Sequence, residues 1–174
     1  MVNAFSCLLK KKVTEPDPVG DEEIRQLGEE ISQRIGSRFG RSLAIRELDT
    51  GSDNAAEIEI GNLLNAFYDV ERFGITFVAS PRHADVLMVT GAVTHNMAIA
   101  AKKTYDAMPS PKWVIAVGDD ACDGGIYKGT YAVLGGADKL FRVDVRIPGN
   151  PPTPVQILAG LLALLKHTGN RQMS

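Results

Sequence analysis

The sequence predicts an α/β protein with a mostly parallel sheet and helices on both of its faces. Segments typical of strands and of amphipathic helices alternate along the chain from Arg41 onward, and this alternation is the pattern of parallel strands joined by crossover helices. Two predicted strands, 85–90 and 112–117, are nearly continuous apolar runs, as expected of strands covered on both faces. Seventeen glycines and nine prolines supply tight turns.

Length, composition and charge fit one globular domain. The chain has 174 residues, of which 44% are apolar and 23% are charged, so it is neither disordered nor fibrous. The 19 basic against 21 acidic residues leave a net charge of −2, which argues against a nucleic-acid binder. The longest apolar stretch, 155–165, is about half the length that a membrane-spanning helix needs.

The first predicted helix covers residues 21–39 and follows a proline-rich linker at 14–20. Asp21 is a plausible N-cap. Apolar residues three and four apart form one stripe, which consists of Ile24, Leu27, Ile31 and Ile35. We divide the chain into an amino-terminal segment with a docking helix (1–40) and one domain (41–174), although packing of the helix on the domain predicts the same stripe.

The residues before the linker place apolar side chains ahead of basic ones. Phe5, Leu8 and Leu9 precede the lysines at 10–12, which is the reverse of the order in a secretory signal. We therefore expect a cytoplasmic protein. A peripheral contact of this segment with a membrane or a membrane subunit is the alternative.

The domain itself is predicted from the period of its apolar residues. Strands are expected at 43–48, 75–79, 85–90, 112–117 and, with partial alternation, 140–147. Helices are expected at 95–107 and at 153–167, where Pro154 suits a first turn. A further helix is expected at 57–68, with the apolar residues Ile58, Ile60, Leu63, Leu64 and Phe67.

Four loops rich in Gly, Asp or Pro follow the predicted strands. They cover 49–57, 90–97, 118–125 and 147–154. Ligands of open α/β sheets bind outside the carboxyl ends of the strands, so the four loops predict a site at one edge of the sheet. The alternative to a binding site is that these loops are only tight turns.

Common chemistries find little support in these loops. The sequence has no G-x-G-x-x-G and no P-loop motif, and the acidic residues Asp119, Asp120 and Asp123 would repel a phosphate. Cys122 has no fixed spacing to His83 or His95 that would predict a thiol nucleophile. Asp53 and Asp120 could do acid–base work if the fold brought them together.

The same loops carry a family resemblance over residues 41–167. The segments that carry it are ELDTGSDNAAEIEI (47–60), DVERFGITFVASPRHADVLMVTGAVTHNM (69–97), YDAMPSPKWVIAVGDDACDGGIY (105–127) and VDVRIPGNPPTP (143–154). The chain resembles the small-subunit family of energy-converting (group 4) nickel–iron hydrogenases, which includes the 20-kDa subunit of complex I and the small subunit of formate hydrogenlyase. The resemblance implies a flavodoxin-like three-layer α/β/α domain with one 4Fe–4S cluster held by four cysteines.

This chain departs from the family at all four ligand positions. Asp53 and Ala56 stand where the resemblance implies a C-x-x-C, Asp120 stands at the third position and Asn150 at the fourth. The whole chain has two cysteines, and Cys122, two residues beyond the third position, does not replace four thiolates. The resemblance therefore predicts the fold, with the cluster lost.

Three possibilities remain open for how the altered site accommodates its carboxylates. Arg82, which matches a family arginine, could pair with a carboxylate. Asp53, Asp120 and Asn150 could instead hold a hard metal ion such as magnesium or calcium. The carboxylates could also be solvated, or one could be protonated. Glu57 and Cys122 are expected as neighbours of this site.

The resemblance implies a cluster-free structural subunit of a membrane-associated assembly, peripheral on its cytoplasmic side. Its partners would be a hydrogenase or complex I large-subunit homologue and other subunits, docked near Asn54, His95 and Tyr127. One alternative is an electron-transfer oxidoreductase subunit, of NADH:quinone oxidoreductase or hydrogenase type, with an atypical cofactor or metal. Another is a separate carboxylate-lined binding domain.

Overall fold

Seven strands and five helices make up the structure, a computed structural model that describes residues 21–167. The strands are β1 (Leu43–Asp49), β2 (Ile75–Phe77), β3 (Val86–Thr90), β4 (Val93–Thr94), β5 (Trp113–Val117), β6 (Val133–Gly135) and β7 (Val145–Ile147). The helices are α1 (Asp21–Phe39), α2 (Ala55–Asn62), α3 (His95–Ala107), α4 (Asp119–Asp123) and α5 (Pro154–His167).

The main sheet has five strands, and all of them are parallel. Its order is β2-β1-β3-β5-β7, which is the flavodoxin-like order when these five strands are numbered along the chain. Strands β4 and β6 form a separate antiparallel pair. The predicted α/β class and three-layer architecture are confirmed.

Alternate residues of the central strands enter two apolar cores. Val86 and Met88 of β3 face the core shared with α1, α2 and α5. Leu87 and Val89 face the other core, which includes Ala101 of α3 and Ala121 of α4. All five residues of β3 are buried, which explains the continuous apolar run in the sequence.

Helix α1 packs on the domain of its own chain. Ile24, Ile31 and Ile35 are buried, and the last two belong to the core that also contains residues of α5. Gly28 lies beneath the ring of Phe73, where a Cβ would overlap the ring. Of the two interpretations of the 21–39 stripe, the structure shows packing on the domain, because this chain already covers the stripe.

Two predicted elements are shorter than their apolar patterns suggest. The helix expected at 57–68 ends at Asn62, and the side chain of Asn65 then accepts hydrogen bonds from the N–H groups of Phe67 and Tyr68 in a turn. The strand expected at 140–147 is reduced to β7, because the N–H groups of Leu140 and Phe141 bond to the carbonyl of Ala137.

The predicted contacts of Phe5, Leu8 and Leu9 with a membrane lie outside the described residues. Within residues 21–167, none of the helices combines the length and the apolar character that crossing a bilayer requires.

Candidate functional site

The four loops meet at the carboxyl edge of the sheet and enclose a cavity, here called the edge cavity. The cavity has contributions from the loops that follow β1, β3, β5 and β7, as expected for an open α/β sheet. Its lining consists of Ser52, Asp53, Ala55, Ala56, Gly91, Val117, Gly118, Asp119, Asp120, Gly149, Asn150 and Pro151.

The loop after β1 is folded by its own acidic and hydroxyl side chains. The Asp49 carboxylate accepts hydrogen bonds from the N–H groups of Gly51 and Ser52 at 2.7 and 2.8 Å. Asp53 accepts one from the N–H of Ala55 at 3.0 Å, where α2 begins. Asn54, between them, has a left-handed backbone with φ 72°. These short-range bonds place Asp53 and Ala56 at the cavity.

Strand β1 is tied to β3 at the edge by threonines. The buried Thr50 hydroxyl lies 2.9 Å from the carbonyl of Thr90 and 3.0 Å from that of Gly91. Gly91, with φ 69°, passes so close to the backbone of Ser52 that a Cβ would overlap it. This position therefore needs glycine, which tolerates both the φ and the close approach.

The loops after β5 and β7 are joined by a reciprocal pair of hydrogen bonds. The N–H of Asp119 donates to the carbonyl of Gly149 at 2.9 Å, and the N–H of Gly149 donates to the Asp119 carboxylate at 2.8 Å. Asp119 therefore has a structural role, and it fixes Asp120 and Asn150 on facing sides of the cavity.

Asp120 is the buried acid of the site. It is 9% exposed, and its Oδ1 has no hydrogen-bond partner. Burial raises the pKa of Asp120, and the charges of Asp53 and Asp119 raise it further. The N–H of Ile126 acts in the opposite direction. The site thus disfavours the ionised form of Asp120 relative to a free aspartate.

The structure brings all four replaced positions together. Asp53, Ala56, Asp120 and Asn150 line the edge cavity; Ala56 and Asp120 are buried, whereas Asp53 and Asn150 are exposed. Iron–sulfur clusters are held by thiolate ligands. Two carboxylates, an amide and a methyl group do not fit such a cluster, although their positions converge.

Cys122 does not complete the site. It lines an adjoining groove rather than the edge cavity, and its Sγ lies 3.8 Å from the carbonyl of Ala116. Burial raises the pKa of its thiol to about 11. A thiol of that pKa is a poor ligand and nucleophile at neutral pH, since the thiolate is the reactive form.

Arg82 lies at the wrong edge of the sheet to pair with Asp53 or Asp120. It belongs to the 3₁₀ turn Pro81–His83, just before the amino end of β3, whereas the cavity lies past the carboxyl end. Five strand residues span roughly 16 Å. The expected pairing of Arg82 with these acids is therefore wrong, and its side chain is exposed.

A bidentate arginine–carboxylate pair between two strand ends lies elsewhere. Arg41 contacts both oxygens of Asp85 at 2.8 and 2.6 Å, and Asp85 also accepts a hydrogen bond from the N–H of Ala44. Asp85 directly precedes β3. This pair joins the amino ends of β1 and β3, so it is structural.

Glu57 and Glu47 form a second acidic neighbourhood, which the sequence indicated only in part. Both carboxylate oxygens of Glu57 are buried without a hydrogen-bond partner. Burial raises the pKa of Glu47, and the charge of Glu57 contributes to that rise. Glu57 was expected near the replaced positions, but it does not line the edge cavity. No sequence pattern singled out Glu47.

Two further expectations concern metal ligands and docking residues. Within the described part of the chain, no group of three or more His, Cys, Asp or Glu side chains is arranged to hold a metal ion.

Asn54, His95 and Tyr127 lie in loops or at a helix start beside the carboxyl edge. Asn54 and His95 are exposed, and Tyr127 is half-buried.

The chain is similar to named proteins over most of its length. It is 43% identical over 145 residues to formate hydrogenlyase subunit 7 of Escherichia coli, which covers 83% of this chain and 55% of that protein. It is 48% identical over 109 residues to a subunit of the NADH-quinone oxidoreductase of Citrifermentans bemidjiense, covering 63% and 64%. The chain thus spans less than two thirds of the length of these relatives.

Solved structures agree with the fold. A chain of the membrane-bound sulfane sulfur reductase, described as an archaeal respiratory membrane complex, matches with 36% identity and a TM-score of 0.67, over 76% of this chain and 73% of that one. The [NiFeSe] hydrogenase of Desulfovibrio vulgaris matches at 17% identity and a TM-score of 0.51, over 75% and 62%, which shows the fold alone.

The family model supplies the assignment. The model of the 20 Kd subunit of NADH ubiquinone oxidoreductase matches residues 54–164, which is more than half of the chain and contains three of the four loops with part of the first. The chain therefore belongs to the family of the 20 Kd subunit of NADH ubiquinone oxidoreductase.

Proposed function

We propose that this chain is a cluster-free structural subunit of a membrane-associated assembly of the complex I or formate hydrogenlyase type, bound peripherally on the cytoplasmic side. The observation that carries the proposal is the edge cavity. The four positions at which the resemblance implies cysteine ligands carry Asp53, Ala56, Asp120 and Asn150, which line this cavity together and supply no thiolate. The fold is thus retained without the side chains that hold the cluster.

The partner in this proposal is a large-subunit homologue, together with other subunits of the assembly. Support comes from the relatives, which are themselves named as subunits of formate hydrogenlyase and of NADH-quinone oxidoreductase. The chain also exposes large apolar side chains beside the carboxyl edge. Ile126 is 76% exposed and Tyr131 is 97% exposed, and surfaces of this kind mark protein contacts.

In this role the chain contributes shape and charge rather than electron transfer. The loops around the edge cavity are held by hydrogen bonds within the chain, such as the pair between Asp119 and Gly149. A partner would therefore meet a preformed surface. Electrons of the assembly, where it has redox chemistry, would pass through other subunits.

Metal and sulfide analysis of the anaerobically purified chain tests the loss of the cluster. We expect substoichiometric iron and acid-labile sulfide and no visible absorbance from an iron–sulfur cluster. A family member that keeps the four cysteines, purified in parallel, controls for the loss of clusters during purification. About four iron ions per chain would contradict the proposal.

Co-purification tests the assembly role. The tagged chain, expressed with the genes that neighbour its own, should retain a large-subunit homologue. Asn54→Arg places a bulky charge on the exposed edge and should reduce the recovered partner, while the circular dichroism spectrum stays unchanged. Lys103→Glu on the exposed part of α3 changes charge away from the loops and serves as the control. Equal recovery with both variants would contradict docking at this edge.

A further inference from the structure

We propose that the groove beside the edge cavity accepts a basic side chain, Lys or Arg, from the large-subunit homologue, so that an ion pair between the two proteins replaces the cluster. This inference rests on the proposed function, because it needs a partner at the carboxyl edge. It goes beyond that function by naming the chemistry that the partner must bring.

Asp120 and Asp53 form no ion pair within the described residues, whereas the nearby Asp123 is paired with Lys128. The charged groups that act on this buried carboxyl are Asp53, Asp119 and Asp123, and all three are carboxylates. A buried ion costs several kcal/mol unless it is paired, and Oδ1 of Asp120 has no hydrogen-bond partner. The geometry therefore leaves a negative site that lacks a counter-charge.

Basic residues near this edge are engaged with other acids. Lys128 pairs with Asp123 at 3.2 Å, and Arg146 pairs with Asp138 at 3.5 Å. Arg82 lies beyond the opposite end of β3. Among the residues that the structure describes, the chain thus offers no cation of its own to Asp53 and Asp120.

The adjoining groove suits a long basic side chain. Asp119, Asp120 and Asn150 line both the edge cavity and this groove, which also runs past Ile126. Oδ1 of Asp120 lies against Gly125, which is part of the groove wall. Lys and Arg bury an apolar stem and present a charged head. The exposed Ile126 would contact the apolar stem, and the carboxylates would pair with the charged head group.

The incoming cation does not need to touch the carboxyl group of Asp120. An opposite charge within about 4–6 Å already favours the ionised form of a carboxyl group. Asp53 is exposed at the mouth of the cavity, so the incoming cation could pair with Asp53 directly and still offset the charge of Asp120. A protein partner is favoured over a free metal ion, because the exposed Ile126 beside the acids offers an apolar surface that the stem of a Lys or Arg side chain can cover.

The test compares Asp120→Asn and Asp53→Asn in the isolated chain and in the co-expressed complex. Alone, Asp120→Asn should melt at a higher temperature than the wild type, because an unpaired charge is removed. In the complex, each variant should weaken association by about tenfold or more and flatten its dependence on salt. Asp106→Asn, an exposed acid of α3 that pairs with Lys102, is the control and should do neither.

Each other outcome overturns the inference in a distinct way. Unchanged association and salt dependence in both variants would reject the ion pair while leaving the assembly role intact. A melting temperature of the wild type that rises with added magnesium, and fails to rise in Asp120→Asn, would assign the cavity to a metal ion instead. A wild-type chain that recovers no partner at all would refute the proposed function itself.

Discussion

Asp120 is the residue at which the altered chemistry of this family member is concentrated. The side chain is nine-tenths buried, one oxygen has no partner, and its charged neighbours are acids. Leaving such a polar group unsatisfied costs about 1–3 kcal/mol. The isolated chain therefore tolerates a destabilising residue at the centre of its glycine-rich loops, which is common where a residue serves binding rather than stability.

The raised pKa of Asp120 predicts a specific pH dependence. Its folded-state pKa lies above the ordinary value of 3.8, so the folded state binds the proton more tightly than the unfolded state. The resulting stabilisation is complete below the unfolded pKa and is lost as pH rises through the folded pKa. The Asp120→Asn variant has no carboxyl group to ionise, so it does not lose stability as the pH rises. It should be more stable than the wild type by about 1–3 kcal/mol at neutral pH.

Urea unfolding of both proteins between about pH 3 and pH 7 measures this difference. Asp106→Asn should differ from the wild type by less than about 0.5 kcal/mol throughout the range. A gap between Asp120→Asn and the wild type that stays constant with pH would show that the carboxyl group is not the cause.

The two arginines at the amino edge of the sheet predict losses of unfolding free energy that differ in size. Arg41 pairs with the buried Asp85, and removing one partner of a buried pair costs several kcal/mol. Because Arg41 is itself 57% exposed, we expect Arg41→Met to lose about 2 kcal/mol of unfolding free energy. Arg82→Met, at an exposed position of the same edge, should lose less than about 0.5 kcal/mol. Denaturant unfolding at low salt compares them.

At the scale of elements, helix α1 shows that the apolar stripe of an amphipathic helix can pack on the helix's own domain rather than on a partner. Ile31 and Ile35 are buried in the core that includes α5, while the outer face of the helix carries the exposed pairs of Arg25 with Glu22 and Glu29. Exposed pairs of this kind contribute little to stability. The helix is therefore held by packing, and its packing makes it part of the domain.

Two glycines of α1 test this packing. Gly28→Ala would place a methyl group into the ring of Phe73, and overpacking of this kind costs about 1–3 kcal/mol. Gly36→Ala meets no atom within 4 Å and should gain about 0.5–1 kcal/mol from helix propensity. Thermal unfolding of the isolated chain distinguishes them. Equal effects of the two variants would indicate that α1 does not pack on the domain.

At the scale of the whole molecule, the edge cavity brings together Asp53, Ala56, Asp120 and Asn150, the residues from which we propose the loss of a cluster. The loops after β1, β5 and β7 supply the four replaced residues to one lining, and hydrogen bonds between the loops hold them there. The geometry depends on the sheet and its glycines, not on the side chains that would have bound iron.

Restoring the four thiols should restore cluster binding. The variant Asp53→Cys, Ala56→Cys, Asp120→Cys and Asn150→Cys, reconstituted anaerobically with iron and sulfide, should take up about four iron ions per chain. Iron and sulfide analysis with the visible spectrum provides the measurement. The same variant with Cys122→Ser should bind equally well, because Cys122 lines the groove and not the cavity. Failure of both variants in a folded state would show that the loops no longer hold cluster geometry.

The sequence by itself determined the fold class, most element positions and the four loops at one edge. Those features depend on local periodicity and on the rule that parallel strands end on the same side, and α1 and α3 match their predicted bounds at 21–39 and 95–107. Only the tertiary structure decided the surroundings of single residues. Arg82 and Asp120 are both charged residues beside strands, but strand direction places one at the amino edge and buries the other among acids. Contacts between loops depend on register and connection, which a local pattern does not contain.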